Sequence, residues 1–171
     1  MFAHVGLKDG LLPDEYGKFA PERCRLKGQP VCSFPIEIGE VPEGTQTLAL
    51  AFLDWDAIPV GGFCWIHWLA CNIDPACTLI PENASQTGEV DMVQGANSNW
   101  SPFLDRENDP ALIYRYTGPC PPDKMHTYTL YVFALDCALD VEEGYYLNAF
   151  RRAIANHVLE QVTLELPSRA S

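Results

Sequence analysis

The stretch that decides the fold is Thr47-Leu48-Ala49-Leu50-Ala51-Phe52-Leu53-Asp54. This apolar run, bounded by polar residues, predicts a β-strand. Because side chains alternate along a strand, Leu48, Leu50 and Phe52 share one face, and Asp54 follows on that face where the apolar run ends. The strand therefore places a carboxylate at its mouth, and Asp56 follows two residues later.

A second apolar run begins after the turn Ala57-Ile58-Pro59-Val60-Gly61-Gly62. A strand is predicted from Phe63 to Ile73, and because its residues up to Cys71 are apolar on both parities, we expect it to be covered on both faces at the centre of a sheet. His67 lies within it and needs a hydrogen-bond partner, because an unpaired buried polar group costs about 1–3 kcal/mol. We expect that partner to be Asp54. The alternative is an ordinary core histidine that is satisfied elsewhere.

The 14 prolines and 12 glycines are spread throughout the chain, which is typical of an all-β fold with turns between short strands. Apolar residues spaced by three and four residues predict a surface helix from Leu147 to Val158. The polar segment from Pro81 to Asp109 is predicted to be a long functional loop. The sequence thus predicts one domain over residues 1–171, an antiparallel β-sandwich with a C-terminal helix. Further strands are predicted at Val31–Ile38, Ala111–Tyr116, Thr127–Leu135 and Leu159–Leu166.

Composition excludes several classes of protein. With 47% hydrophobic and 20% charged residues among 171, the chain has globular and not disordered composition. The formal charge of −12 disfavours nucleic acid and anionic membrane surfaces as partners. The longest apolar run is far shorter than the roughly 20 residues that cross a bilayer, which argues against membrane insertion.

The start of the chain and its cysteines bear on where the protein works. Met1 to Pro13 lacks the basic and apolar regions of a signal peptide, so a cytoplasmic location is expected. Seven cysteines without a Cys-x-x-Cys pair are expected to be reduced, structural thiols. Four tryptophans and seven tyrosines suggest a homodimer, although aromatic side chains also serve cores.

A proline-rich segment precedes the predicted strand at Thr127. It reads Gly118-Pro119-Cys120-Pro121-Pro122-Asp123-Lys124-Met125-His126-Thr127-Tyr128. Three prolines in four residues hold the backbone rigid and extended, which suits a pocket wall. His126 and Tyr128 share one face of the strand that follows. The alternative is a plain proline-rich turn with an exposed His126.

Taken together, these segments resemble the signature motifs of the phosphatidylethanolamine-binding protein family. The similarity is closest to its bacterial branch of Raf-kinase-inhibitor-like proteins. It covers most of the chain, and the ordered set of motifs is specific where each motif alone is weak. The segments are Asp54-Trp55-Asp56-Ala57-Ile58-Pro59, His67-Trp68, Gly118-Pro119-Cys120-Pro121-Pro122 and His126-Thr127-Tyr128.

The resemblance implies a β-sandwich with a small pocket at one end for phosphate-like anions and phospholipid headgroups. Two departures stand out. Trp55 occupies the place of a family proline, and Thr127 replaces the usual arginine, which removes a cation worth about 1.5–3 kcal/mol in a charge-assisted hydrogen bond. Affinity for a phosphate monoester is therefore expected to be lower than in the family. The implied ligand-binding residues are Asp54, Asp56, His67, Pro121, His126 and Tyr128.

The residues leave several function classes open. In a binding protein, Asp54 orients the His67 ring, and the other ring nitrogen, the Tyr128 hydroxyl and backbone N–H groups donate to the anion. In a small hydrolase or isomerase, the same pair acts as a general base, but no nucleophile motif occurs. A Zn²⁺ or Fe²⁺ site of Asp54, Asp56, His67 and His126 has no supporting spacing. We therefore predict no metal, no cofactor and no protein partner that the sequence identifies.

Overall fold

The computed structural model describes residues 1–104 and 108–171. The helices are α1 (Ile58–Gly61), α2 (Ala84–Thr87), α3 (Pro110–Ile113) and α4 (Leu147–Ala153). Short 3-10 turns lie at Asp14–Tyr16, Glu22–Cys24 and Ser98–Trp100. The strands are β1 (Phe2–His4), β2 (Arg25–Leu26), β3 (Gln29–Pro30), β4 (Ile36–Gly39), β5 (Thr47–Asp54), β6 (Trp65–Ile73), β7 (Leu79–Ile80), β8 (Val93–Gln94), β9 (His126–Leu135) and β10 (Val158–Ser168).

Antiparallel sheets form the body of the protein, which confirms the predicted mainly-β sandwich. The larger sheet has the strand order β10-β9-β5-β6-β8, and a three-stranded sheet has the order β1-β4-β7. All pairings in both sheets are antiparallel. A separate ribbon joins β2 to β3. The long strands β5, β9 and β10 pair along almost their whole lengths, so they fix the register of the larger sheet.

The larger sheet carries apolar side chains on both faces. One face, with Leu50 and Phe52, packs with Ile36 of β4 in the core between the two sheets. The other face, with Ala51 and Leu69, packs with Phe150 of α4. The Phe150 ring meets that of Phe133 edge-on with centroids 5.8 Å apart. A sheet covered on both sides explains why its central sequences lack polar alternation.

The strand at the centre of the sheet is β5, and not β6 as the sequence suggested. Every residue of β5 is buried, and it lies between β9 and β6. β6 has only the two-residue strand β8 on its other side. The outer face of β6 is nevertheless apolar, because the chain from Gln94 onward and α4 cover it. The apolar pattern thus predicted correctly that both faces of β6 are covered, but it predicted wrongly that β6 is the central strand.

Three other predicted elements are corrected. Val31–Ile38 forms a strand only from Ile36, and Ala111–Tyr116 is replaced by α3 and an irregular segment. The reason is local: the Asp109 side chain accepts the Ala111 N–H at 3.0 Å, and Pro110 stands at the first helical position, two signals that begin a helix. The predicted C-terminal helix is α4, which ends at Ala153, and Val158 belongs to β10.

The segment from Pro81 to Asp109 is not the structureless loop that its polarity suggested. It contains α2, β8 and the 3-10 turn at Ser98–Trp100, while its residues 105–107 lie outside the described residues. The seven cysteines are present as free thiols. The longest helix within residues 1–104 and 108–171 has seven residues, too few to cross a bilayer.

Candidate functional site

A cavity of about 220 Å³ opens where β5 ends. Four of the six residues named from the sequence line it: Asp54, His67, His126 and Tyr128. All four are nearly inaccessible, with exposed fractions of 4% or less. The other residues of its wall are Gln29, Ala57, Val60, Gly61, Phe63, Trp65, Asn99, Thr117, Gly118, Cys120 and Pro122.

A β-bulge brings His67 to the cavity. In the pairing of β5 with β6, Phe52 lies opposite Trp68, whereas Leu53 lies opposite Ile66. His67 is therefore the extra residue of β6 and has no partner in the ladder. Bulges bend a strand and turn a side chain to a new direction, and they are frequent beside functional sites. The continuous apolar run in the sequence predicts a regular strand and gives no sign of this bulge.

The partner of His67 is a backbone carbonyl, and not the Asp54 carboxylate. His67 Nδ1 lies 2.8 Å from the Thr117 oxygen, and the Thr117 N–H donates to the His67 carbonyl at 2.9 Å. Because a carbonyl only accepts, Nδ1 carries the proton and Nε2 keeps a free lone pair. Burial lowers the pKa of His67 to about 4. At neutral pH this ring is an uncharged hydrogen-bond acceptor toward the cavity, the reverse of the donor role expected from the sequence.

Asp54 instead pairs with His126. Asp54 lies opposite Tyr128 in the β5–β9 ladder, and His126, two residues before Tyr128, faces the same side. The Asp54 Oδ2 to His126 Nδ1 distance is 2.8 Å, and Asp54 Oδ1 accepts the Ala57 N–H at 3.1 Å. The carboxylate therefore fixes both the histidine and the first turn of the chain toward α1.

His126 is held between two carboxylates. Its Nε2 lies 2.9 Å from Asp123 Oδ1, and the Asp123 side chain is half exposed. Burial alone would lower the pKa of His126, but the hydrogen bonds to Asp54 and Asp123 outweigh it and raise that pKa. The ring is 1% exposed and so is not the exposed turn histidine of the alternative interpretation. The two hydrogen-bonded carboxylates therefore favour the protonated form of this imidazole, and both of its ring nitrogens are engaged.

Tyr128 completes the polar group. Its ring meets that of His67 edge-on, with centroids 5.0 Å apart. Burial and the nearby Asp54 carboxylate raise the pKa of Tyr128 far above its ordinary value, so its hydroxyl stays protonated. Phe52 packs on both rings from the core side, with centroid distances of 5.6 Å to each. These contacts fix the orientation of both rings.

Two of the named residues lie outside the cavity wall. Asp56 Oδ2 accepts the backbone N–H of Thr127 at 2.9 Å, so it ties the turn after β5 to the start of β9. Pro121 is buried, and its carbonyl accepts a hydrogen bond from Lys18 Nζ at 3.1 Å. Both residues support the wall from behind. In the proline-rich segment, Cys120 and Pro122 line the cavity in place of Pro121.

Sequence reasoning missed the contribution of the segments around Asn99 and Thr117. Asn99 Nδ2 donates to Thr117 Oγ1 at 3.1 Å, and Ser98 Oγ accepts the Ile66 N–H at 2.8 Å. Gly118 is needed because a Cβ there would meet the Tyr16 carbonyl at 2.4 Å. Apart from Gly118, which opens the proline-rich segment, no motif marks these residues. The one available signal was the run of asparagines and serines at 97–99, which favours Asx and 3-10 turns.

The polar side chains of the cavity differ in whether they donate or accept hydrogen bonds. The cavity offers one imidazole whose protonated form is favoured (His126), one neutral imidazole acceptor (His67), one phenol and one buried carboxylate. The only cysteine at the neighbouring strand start, Cys64, is a poor nucleophile, because burial and then the Asp54 charge raise its pKa to about 11. The arrangement is therefore equipped to hold a small polar group by hydrogen bonds.

Comparison with known proteins identifies the family of this chain. The family model for phosphatidylethanolamine-binding proteins matches residues 4–168. This chain belongs to the phosphatidylethanolamine-binding protein family. The YxkA protein of Bacillus subtilis is 48% identical over 158 residues, which are 92% of this chain and 94% of the relative. A UPF0098 protein of Chlamydia pneumoniae is 34% identical over 87% of this chain and 89% of its own.

Solved structures of family members have the same fold. The phosphatidylethanolamine-binding protein homologue CT736 of Chlamydia trachomatis aligns with a TM-score of 0.75 and 26% identity, over 94% of this chain and 90% of its own. YbcL of E. coli, a member of the mammalian family, aligns with a TM-score of 0.77 and 22% identity, over 99% and 98%. At that identity YbcL shows the fold alone.

Proposed function

We propose that the cavity binds a small anionic or phosphorylated ligand and does not turn it over. The observation that carries this proposal is the second bond of His126. Its Nε2 already binds an anionic oxygen, that of the half-exposed Asp123. An oxyanion from solution can take this position when Asp123 swings away. Membership of the family supports ligand binding in general, and the finer identity of the ligand is our inference.

The neutral His67 ring adds a requirement on the ligand. An acceptor nitrogen is best satisfied by a ligand oxygen that carries a proton. A phosphate monoester in its singly protonated form offers both groups: a charged oxygen for His126 and a hydroxyl for His67. Phosphate and phospholipid headgroup fragments share this chemistry, and a cavity of about 220 Å³ suits a headgroup-sized ligand. The buried Asp54 charge disfavours fully ionised ligands.

The hydrolase or isomerase alternative uses the same residues, and the thiol it would need as a nucleophile is that of Cys120 on the cavity wall. Titration calorimetry with inorganic phosphate, acetate and phosphoethanolamine, together with a turnover assay on a phosphate ester and a carboxylate ester, separates the two functions. Binding without product formation supports the proposal. Multiple turnovers by metal-free protein would replace it with the enzyme alternative.

The variant His67→Ala tests which residue holds the ligand. It removes the acceptor nitrogen, so we expect phosphoethanolamine to bind about 5- to 150-fold more weakly, which corresponds to about 1–3 kcal/mol for a lost hydrogen bond. Thermal melting of the variant serves as the control for folding. Unchanged affinity in a folded variant would contradict the assignment.

The variant Asp123→Asn tests the displacement step. The neutral amide is a weaker partner for the His126 imidazolium, so we expect phosphate and phosphoethanolamine to bind about 2- to 10-fold more tightly, the value of one hydrogen bond. Asp74→Asn is the matched control, because it changes the net charge equally but lies after β6, at the end of the strand away from the cavity. Equal effects of both substitutions would mean that charge alone is responsible.

A further inference from the structure

A second cluster of reactive side chains lies at the opposite end of the larger sheet from the cavity. There Leu135 of β9 pairs with Thr47 at the start of β5 and with Val158 of β10. The cluster consists of three residues just beyond these strand ends. Asp136 and Cys137 follow β9, and His157 precedes β10. None of them has a role in the proposed ligand cavity.

The backbone holds these three residues together. The Asp136 N–H donates to the His157 carbonyl at 3.0 Å, which extends the β9–β10 pairing by one step. The Cys137 carbonyl accepts a hydrogen bond from Thr47 Oγ1 at 2.6 Å. Both contacts anchor the backbone and do not use the side chains of Asp136, Cys137 and His157. The positions are thus preorganised by the sheet, as a binding site requires.

The side-chain donor atoms already lie near one another. One oxygen of Asp136, the Cys137 sulfur and one ring nitrogen of His157 are all within 4.8 Å of each other. His157 Nδ1 is 2.8 Å from Asp136 Oδ1. Asp136 and His157 are exposed, and Cys137 is half buried, so an ion can reach them from solvent. Bonds of 2.0–2.3 Å in a tetrahedral zinc site imply donor separations of about 3.4–3.8 Å, which small side-chain rotations supply here.

We propose that Asp136, Cys137 and His157 form a binding site for Zn²⁺ or a similar borderline-soft divalent cation. A thiolate and an imidazole select such a cation over Mg²⁺ or Ca²⁺, which prefer oxygen ligands. The net charge of −12 raises the local concentration of cations. Three protein ligands leave one position for water or for a donor from another molecule.

Metal titration of the reduced, full-length protein tests this site. We expect one equivalent of Zn²⁺ to bind, as measured by calorimetry, and Co²⁺ to give the ultraviolet charge-transfer absorption of a cobalt–thiolate bond. The variants Cys137→Ser and His157→Asn should each weaken binding roughly tenfold or more, and Cys137→Ser should abolish the absorption. Since Asp136 and His157 are exposed and Cys137 is only half buried, thermal melts of the metal-free variants should match the wild type.

Cys120→Ser is the matched control, because it removes a more exposed thiol, one that lines the ligand cavity. It should leave metal binding and the absorption unchanged. The proposal is overturned if no saturable one-to-one uptake occurs, if uptake survives both Cys137→Ser and His157→Asn, or if Cys120→Ser removes it. Loss of uptake in Cys120→Ser would place the metal in the ligand cavity. The results with Cys137→Ser and His157→Asn do not bear on phosphoethanolamine binding at His67 and His126, so the two proposals are distinguishable.

Discussion

Replacing Asp54 by alanine is expected to lower the free energy of unfolding by about 3–5 kcal/mol, the cost of removing one partner of a buried charged pair. Asp54 is 4% exposed, and its two oxygens serve His126 and the Ala57 N–H. The substitution leaves the His126 imidazolium with Asp123 alone and opens a polar void beside Tyr128. Chemical denaturation of wild type and variant, followed by fluorescence, measures the difference.

Asp56→Ala is the matched control for this prediction. Asp56 is partly exposed, and its carboxylate accepts the backbone N–H of Thr127. Its loss should cost about 0.5–1.5 kcal/mol, the net value of a single hydrogen bond. If both substitutions have equal effects, Asp54 is not the electrostatic centre of the site. Asp54→Asn should fall between the two, because the amide keeps the shape and loses the charge.

Stability is expected to fall in acid because of His67. Its pKa is about 4 in the folded state and about 6.5 when unfolded, so the unfolded chain binds a proton that the folded protein refuses between these values. Stability is therefore lost as the pH falls from about 6.5 to 4. The contribution is about 2–3 kcal/mol between pH 7 and pH 4.5. The charges that act on His67 are those of Asp54 and His126, and the protonated Tyr128 phenol lies against its ring.

The variant His67→Asn isolates this effect from the titration of other groups. The asparagine amide can still donate to the Thr117 carbonyl but does not titrate. The difference in unfolding free energy between wild type and variant should therefore shrink by about 2–3 kcal/mol from pH 7 to pH 4.5. A constant difference over this range would mean that His67 is not held neutral.

His126 acts in the opposite direction. Its pKa is raised in the folded protein, so its stabilising contribution is complete below the unfolded pKa of about 6.5 and is lost as the pH rises through the folded pKa. Anion binding that depends on the imidazolium should weaken over the same alkaline range. The two histidines together place the pH of maximum stability between the folded-state pKa of His67 and that of His126.

The sequence predicted what depends on local pattern. The alternation in Thr47–Asp54 located β5 residue for residue, and the period-two spacing of His126 and Tyr128 put both on the face that meets Asp54. Motif order identified the family. These features depend on residues that are close together in the sequence, so the sequence alone is enough to predict them.

What the sequence could not predict depends on contacts between distant segments. The bulge at His67 changes which residues face each other, and no side-chain pattern marks it. Thr117 lies 50 residues from His67, and the hydrogen bond involves its backbone carbonyl, a group that every residue carries. The pairing of histidines and acids was therefore predicted wrongly, since Asp54 bonds to His126 and not to His67.

The central claim, that His126 and His67 hold a small anionic ligand, is tested most directly by long-range ¹H–¹⁵N NMR of the histidine rings. The protein has four histidines, and the exposed His4 and His157 serve as internal controls in metal-free buffer. On addition of phosphoethanolamine, we predict that the ring signals of His126 and His67 shift together along one saturation curve while those of His4 and His157 stay in place. Unchanged His126 and His67 signals at ligand concentrations that shift other residues would contradict the account.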